Sequence, residues 1–78
     1  MTIFYFDIQI NFSPVSIDDE GVSLQSVEEA RIEAGKIPCE VARDLLQEGI
    51  LSSLLVIVTD EAGEVLRATL DFRLQRLN

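Results

Sequence analysis

Clustered carboxylates are the side chains of this sequence that come closest to an arrangement for chemistry. Asp18-Asp19-Glu20 stands directly before Gly21, and Asp60-Glu61 stands shortly before Gly63. Oxygen-rich loops bind Ca²⁺ when their ligands alternate at fixed spacing and a glycine makes the turn. Neither cluster has that spacing, so both are interpreted as turns whose carboxylates face water. We therefore expect no metal site.

Catalysis by proton transfer or by a nucleophile needs groups that this sequence does not bring together. The chain has no histidine, which is the usual general base near neutral pH. A Ser-His-Asp or Cys-His arrangement is therefore impossible within one chain. The single thiol, Cys39, is interpreted as a small, part-buried apolar residue. We expect no catalytic residue, no cofactor, no small-molecule substrate and no enzymatic activity.

The length and composition indicate one globular domain that spans residues 1–78. Apolar residues make up 47% of the chain and charged residues 26%, which is typical of a folded domain. One cysteine cannot form an internal disulfide, and this favours a reducing compartment. The start of the chain has no basic segment of the kind that opens a signal peptide, and the longest apolar run, residues 54–58, is too short to span a bilayer. We expect a cytoplasmic protein.

The balance of acidic and basic residues limits the kinds of partner that the protein can bind. Six basic against fourteen acidic residues give a net charge of −8. Nucleic acids and anionic membranes are poor partners for such a surface, because each phosphate contact needs a Lys or Arg. The charge favours solubility or a basic protein partner.

Alternating patterns at both ends of the sequence predict β-strands, since side chains in a strand have a period of two. The first strand covers approximately residues 3–10. One of two short segments, residues 15–17 or 22–24, is expected to form the second strand. The third strand, residues 54–58, is apolar on both faces, and the fourth alternates from residue 66 to residue 74. The side chains expected to face the core are Phe4, Phe6, Ile8 and Ile10 in the first strand and Leu66, Ala68, Leu70, Phe72 and Leu74 in the fourth.

Residues between these strands predict one amphipathic helix. Ser26 and Glu29 have the spacing of a capping box, in which each side chain accepts a hydrogen bond from the other residue's N–H. Gly49 is expected to end the helix. Pro38 lies inside an apolar stripe that continues in phase across it, which predicts a kink or a brief interruption near residues 35–38. The stripe consists of Val27, Ala30, Ala34, Ile37, Val41 and Leu45.

Together these elements predict an α+β domain with the order β-β-α-β-β. One kinked helix packs on a four-stranded antiparallel sheet whose strand order is 2-1-3-4. The third strand suits an interior position because it is apolar on both faces. The fourth strand suits an edge because it carries Arg67, Asp71 and Arg73.

Four segments give the chain a resemblance to a known family. They are Phe4-Tyr5-Phe6-Asp7-Ile8, the acidic turn that ends at Gly21, the helix opening Glu28-Glu29-Ala30-Arg31-Ile32-Glu33-Ala34, and Val58-Thr59-Asp60-Glu61-Ala62-Gly63. In this order they resemble a family of small uncharacterised bacterial proteins, common in rhizobia and their relatives, classed as a domain of unknown function. The resemblance implies the fold but no activity and no site residues. Family members usually have a continuous Ala- and Leu-rich helix where this chain has Gly35 and Pro38.

The face of the sheet opposite the helix is expected to be unusually apolar. Ile3 and Tyr5 lie on that face if Phe4 and Phe6 face the helix. The third strand adds either Leu55 and Ile57 or residues 54, 56 and 58, and the sequence leaves this choice open. Apolar patches of this kind mark partner surfaces. The alternative is that the segment from Ser13 to Leu24 folds over the patch and covers it.

These observations predict a non-enzymatic interaction module that self-associates through the outer face of the sheet or through an edge strand. The candidate contact residues are Ile3, Tyr5, Leu55 and Ile57. A two-fold homodimer is the simplest closed arrangement, because one self-complementary patch serves both copies. The second hypothesis is a small acidic regulatory protein, similar in action to an antitoxin, that binds a basic protein partner.

Overall fold

The protein folds as an α+β domain with one helix packed on an antiparallel sheet, as predicted. A computed structural model describes residues 1–49, 52–73 and 76–77. The elements follow one another as β1 (Thr2–Ile10), β2 (Ser13–Ser16), β3 (Val22–Leu24), α1 (Val27–Glu48), β4 (Ser53–Asp60) and β5 (Gly63–Asp71).

The sheet has five strands, so the predicted count of four and the order 2-1-3-4 are wrong. The hydrogen-bonded path is β2-β1-β4-β5, and β3 pairs with β1 outside this path. Both of the short segments between which the sequence did not decide are therefore strands. The reason is the length of β1: its nine residues leave room for two short strands end to end, with β2 beside Ile8–Ile10 and β3 beside Thr2–Phe4.

The core lies between the helix and the even-numbered residues of the central strands. Phe4 and Phe6 of β1 are buried, as predicted. Even-numbered residues of β4 are buried too, which places Leu55 and Ile57 on the outer face and settles the choice that the sequence left open. The buried residues of the sheet and helix are Phe4, Phe6, Leu54, Val56, Val58, Ala30, Ala34 and Ala42.

Phe72 does not belong to this core, and its predicted burial is wrong. It follows the last residue of β5 and keeps 39% of its surface exposed. Leu66, Ala68 and Leu70 of the same strand do pack against the core. The alternation identified the correct face, but position 72 lies past the end of β5. Residue 74, also predicted to face inward, lies outside the described residues.

The helix begins and ends where the sequence predicts. The Ser26 side chain accepts a hydrogen bond from the Glu29 N–H at 3.2 Å, and Gly49 ends the helix with a left-handed φ of 73°. The Glu29 carboxylate, however, accepts from the Gln25 N–H at 2.7 Å, not from Ser26 as expected. Val27 is half exposed instead of buried.

Pro38 lies within α1, and the helix continues through it without interruption. Its ring is buried, so it packs on the core side of the helix. The bend that proline imposes on a helix stays a prediction. Among the described residues, no helix is both long enough and apolar enough to cross a membrane.

Candidate interaction surface

The outer face of the sheet, opposite the helix, is built around an apolar strip formed by Leu55 and Ile57. Strand register places Asp7 on one side of Ile57 and Arg67 on the other. Leu55 is flanked in the same way by Gln9 and Thr69. Both apolar side chains are half-buried. The outer face is therefore an apolar strip along β4 with polar and charged side chains on both flanks.

All four predicted contact residues lie on this face, although not as one uniform patch. Ile3 and Tyr5 follow β1 toward its N-terminal end, and Leu55 and Ile57 lie at the middle of the sheet. Ile3 keeps 42% of its surface exposed. The structure thus groups the four residues on one side of the sheet, and their contact with a partner stays a prediction.

The backbone of Gly21 closely approaches the Ile3–Tyr5 end of the face. A Cβ atom at this position would lie 2.5 Å from Cγ2 of Ile3 and 2.9 Å from Cε1 of Tyr5. The residue also has a φ of 77°, which side-chain-bearing residues rarely adopt. The segment from Ser13 to Leu24 thus reaches the Ile3–Tyr5 end through Gly21, and its strands extend the edge of β1 instead of lying across Leu55 and Ile57.

Asp18 connects this segment to the middle of β1. Its Oδ2 accepts a hydrogen bond from the Phe6 N–H at 3.1 Å, and its Oδ1 accepts from Gly21 at 3.0 Å and from Glu20 at 3.1 Å. Its own N–H donates to Oδ1 of Asp7 at 2.9 Å. The Asp18 carboxylate therefore accepts a hydrogen bond from the edge of β1 in the gap between β2 and β3.

These hydrogen bonds change the acidity of Asp18. The N–H of Gly21 has the largest effect and, together with those of Phe6 and Glu20, holds the pKa of the Asp18 carboxyl below its usual value, although partial burial opposes the shift. A carboxylate surrounded by N–H donors has little capacity left for a cation. No cluster of three metal-ligating side chains occurs within the described ranges.

A groove lies on the outer face where β1 turns into β2. Its volume is about 380 Å³, and its lining includes Gln9, Phe12, Leu55, Arg67, Thr69 and Asp71. Apart from Phe12, these side chains come from β1, β4 and β5. The groove thus continues the apolar strip toward the end of the sheet at which Phe12 stands.

Phe12 is a functional candidate that the sequence analysis missed. It is 84% exposed and has a φ of 69°, while Asn11 beside it has a φ of 51°. Positive φ at both residues is the pattern of a two-residue type I′ turn, and a bulky residue seldom occupies it. An Asn between two alternating segments was the available signal for this hairpin.

Asn11 fixes that turn against the beginning of β4. Its Oδ1 accepts hydrogen bonds from the Ser52 N–H at 2.9 Å, the Ser52 hydroxyl at 2.7 Å and the Ser53 N–H at 3.0 Å. Its own N–H donates to the Ser53 carbonyl at 2.8 Å. These bonds hold the backbone of Phe12 in place beside the groove.

The charged side chains pair locally. Arg31 binds Glu28 and Arg67 binds Glu64, and in each pair the hydrogen bonds lower the pKa of the Glu carboxyl and raise the pKa of the Arg. Lys36 and Glu33 form a third pair at 3.3 Å. Such exposed pairs contribute little to stability, but they neutralise basic groups and leave the surface strongly acidic.

Cys39 is exposed, so its predicted partial burial is wrong. Its Sγ lies 3.7 Å from the carbonyl oxygen of Gly35, one helical turn earlier. The residue lies next to the buried Pro38 but on the solvent side of the helix, because successive helical positions are about 100° apart. The thiol takes no part in the outer face.

Comparison with known proteins identifies the family. Residues 3–72 match the family described as Domain of unknown function (DUF6894). The chain belongs to this family. No curated protein and no solved structure matches the chain. Because the DUF6894 description assigns no activity, the geometry of the outer face is the basis for interpreting what this DUF6894 domain does.

Proposed function

We propose that the protein is a non-enzymatic interaction module that self-associates through the outer face of its sheet. The observation that carries the proposal is the apolar strip of Leu55 and Ile57, which lies on the face opposite the helix. A sheet with one covered face normally turns polar side chains outward along its strands. Apolar side chains at the middle of that face favour burial against another protein surface.

The charges on both flanks of the strip favour a second copy of the chain as that surface. A two-fold axis parallel to β4 would stack the two strips and bring β1 of one copy over β5 of the other. Asp7 of one copy would then face Arg67 of the other, and Gln9 would face Thr69. One patch is thereby complementary to itself, both in its apolar strip and in its charge.

Phe12 adds an apolar anchor at the end of the strip. A bulky residue in the left-handed region costs about 1–3 kcal/mol, and the Asn11 hydrogen bonds hold this conformation. An exposed aromatic side chain on a rigid turn binds a partner with little loss of conformational entropy. Aromatic residues of this kind often carry a large share of the binding energy at an interface.

The arrangement of polar groups supports a role without catalysis. The Asp18 carboxylate is occupied by backbone N–H groups, and Glu28 and Glu64 are paired with arginines. Groups committed in this way are poor general acids or bases. We further propose a cytoplasmic location, since an exposed thiol such as Cys39 suits a reducing compartment.

A second function, the binding of a basic protein, is favoured by the acidic surface. The net charge is −8, and Arg31, Lys36 and Arg67 are each engaged with a neighbouring glutamate. A basic partner would be attracted over the whole surface, and such binding would weaken with added salt. This salt dependence separates the two functions.

Substitution at the apolar strip tests the proposed function. We expect Ile57→Lys to lower the mass of the protein in sedimentation equilibrium, because a buried ammonium would lie at the centre of the contact. The matched control is Ile32→Lys, which places the same charge on the exposed side of the helix and should keep the wild-type mass. An Ile57→Lys variant with the wild-type mass would contradict contact through this face.

A further inference from the structure

The outer edge of β5 has main-chain groups that no other strand of the described residues uses. In the described part of the chain, β4 is the one strand paired with β5. The Phe72 N–H donates to the Ser52 carbonyl at 2.9 Å, so even-numbered residues turn their main-chain groups toward β4. Because these directions alternate along a strand, the N–H and C=O groups of Arg67, Thr69 and Asp71 point away from the sheet. An edge of this kind is a template for another strand.

The side chains of the same residues are arranged to match a second copy of themselves. Arg67 and Asp71 have opposite charges and lie at equal distances from Thr69. We infer that β5 pairs antiparallel with β5 of a second copy, about a two-fold axis that passes through Thr69. Arg67 of each copy then lies opposite Asp71 of the other, and opposite charges at directly facing positions stabilise a strand pair.

The charges also select this register among the alternatives. An axis at Arg67 would place two arginines opposite each other, and an axis at Asp71 would do the same with two aspartates. Both arrangements are repulsive. Arg67 can serve both neighbours, because its five N–H donors exceed the two nitrogens, Nε and one Nη, that bind Glu64. The charges on β5 therefore favour one strand pairing in addition to disfavouring others.

The helix-side residues of β5 match in the same register. Ala68 lies opposite Leu70 of the second copy, and Leu66 lies opposite Phe72. These side chains are partly buried in the single copy, except for Phe72, which is exposed. Pairing would cover Phe72 and give its apolar side chain the burial that it lacks in the single copy.

This contact goes beyond the proposed face-to-face contact and uses a different part of the molecule. A two-fold axis perpendicular to the sheet keeps the outer faces of both copies on one side. The two sheets would join into one, and each copy would retain its strip of Leu55 and Ile57 for stacking.

Charge exchange in a background without the face contact tests the inference. In the Ile57→Lys background, we expect a dimer by native mass spectrometry. Adding Arg67→Asp places acidic residues opposite each other, and adding Asp71→Arg places arginines opposite each other, so each variant should be monomeric. Mixing the two variants restores opposite charges at both positions, and a mixed dimer should form. The variants differ in mass, which identifies that dimer.

Two further variants separate pairing from folding. Arg31→Asp makes the same charge change and breaks a similar Arg–Glu pair on the helix, so it should remain dimeric. Thr69→Pro removes an N–H that points away from β4, so it should keep the helical circular dichroism signal and lose the dimer. A monomeric Ile57→Lys parent, dimeric single variants or a mixture without mixed dimers would each overturn β5 pairing. An Ile57→Lys protein with the wild-type mass would instead contradict the face contact alone.

Discussion

At the scale of single residues, Asp18 illustrates how a side chain that suggests a metal ligand serves the backbone. Its two oxygens accept N–H groups from β1 and from its own turn. The sequence indicated a turn at this position but not the contact with Phe6, because the two residues meet only after β2 has paired with β1. Asn11 was missed for the same reason, since its partners Ser52 and Ser53 lie beyond the helix.

Asp18→Asn is expected to destabilise the protein and to reduce its sensitivity to acid. The folded chain holds the pKa of Asp18 below the unfolded value, so the stabilisation is fully present above about pH 5 and is lost as the pH falls below about 4. We expect a loss of about 1 kcal/mol near neutral pH, discounted for partial exposure. Urea unfolding at several pH values should show the difference between wild type and variant shrinking in acid. Asp19→Asn is the control, and an equal loss there would contradict a specific role for Asp18.

Two glycines provide a matched pair with opposite expected effects. Gly21→Ala should cost about 1–3 kcal/mol, because the methyl group would meet Ile3 and Tyr5 and the backbone has positive φ. Gly35→Ala should raise the free energy of unfolding by about 0.5–1 kcal/mol, because nothing lies within 4 Å of its Cβ position and alanine favours the helix. Thermal unfolding of both variants measures this contrast. Similar effects of the two changes would refute the close approach at Gly21.

At the scale of elements, the sequence pattern predicted an element correctly wherever that element depends only on residues near it in the sequence. The caps at Ser26 and Gly49 and the alternation of β1 predicted their elements correctly, since each depends on neighbours in sequence. The strand count failed because pairing along an edge depends on which segments fit beside β1. The predicted burial of Phe72 is wrong because the alternating pattern continues one residue past the point at which β5 ends.

Two phenylalanines test the extent of the core. Phe6 is 8% exposed and lies between the sheet and the helix, so Phe6→Ala should cost about 3–5 kcal/mol. Phe72→Ala should cost less than about 1 kcal/mol in the monomer, because the side chain is exposed there. Denaturant unfolding compares the free energies of unfolding of the two variants, at protein concentrations low enough to keep them monomeric. A large loss of stability in Phe72→Ala would show that Phe72 belongs to the core.

At the scale of the whole molecule, the sequence predicted that the outer face carries apolar side chains and left open which residues of β4 supply them. The structure assigns Leu55 and Ile57 to that face and adds Phe12, whose position depends on a turn between two strands. A small domain with such a strip gains stability by covering it. The two proposed contacts would together account for an apolar strip and an oppositely charged edge in one acidic chain.

The molecular mass of the wild-type protein in solution tests self-association most directly. Sedimentation equilibrium over the micromolar range, with and without added salt, is the measurement. We expect a multiple of the 8.7 kDa chain mass that added salt does not reduce to a single chain. A mass of 8.7 kDa at every concentration would contradict self-association and favour the acidic surface as the binding site of a basic partner.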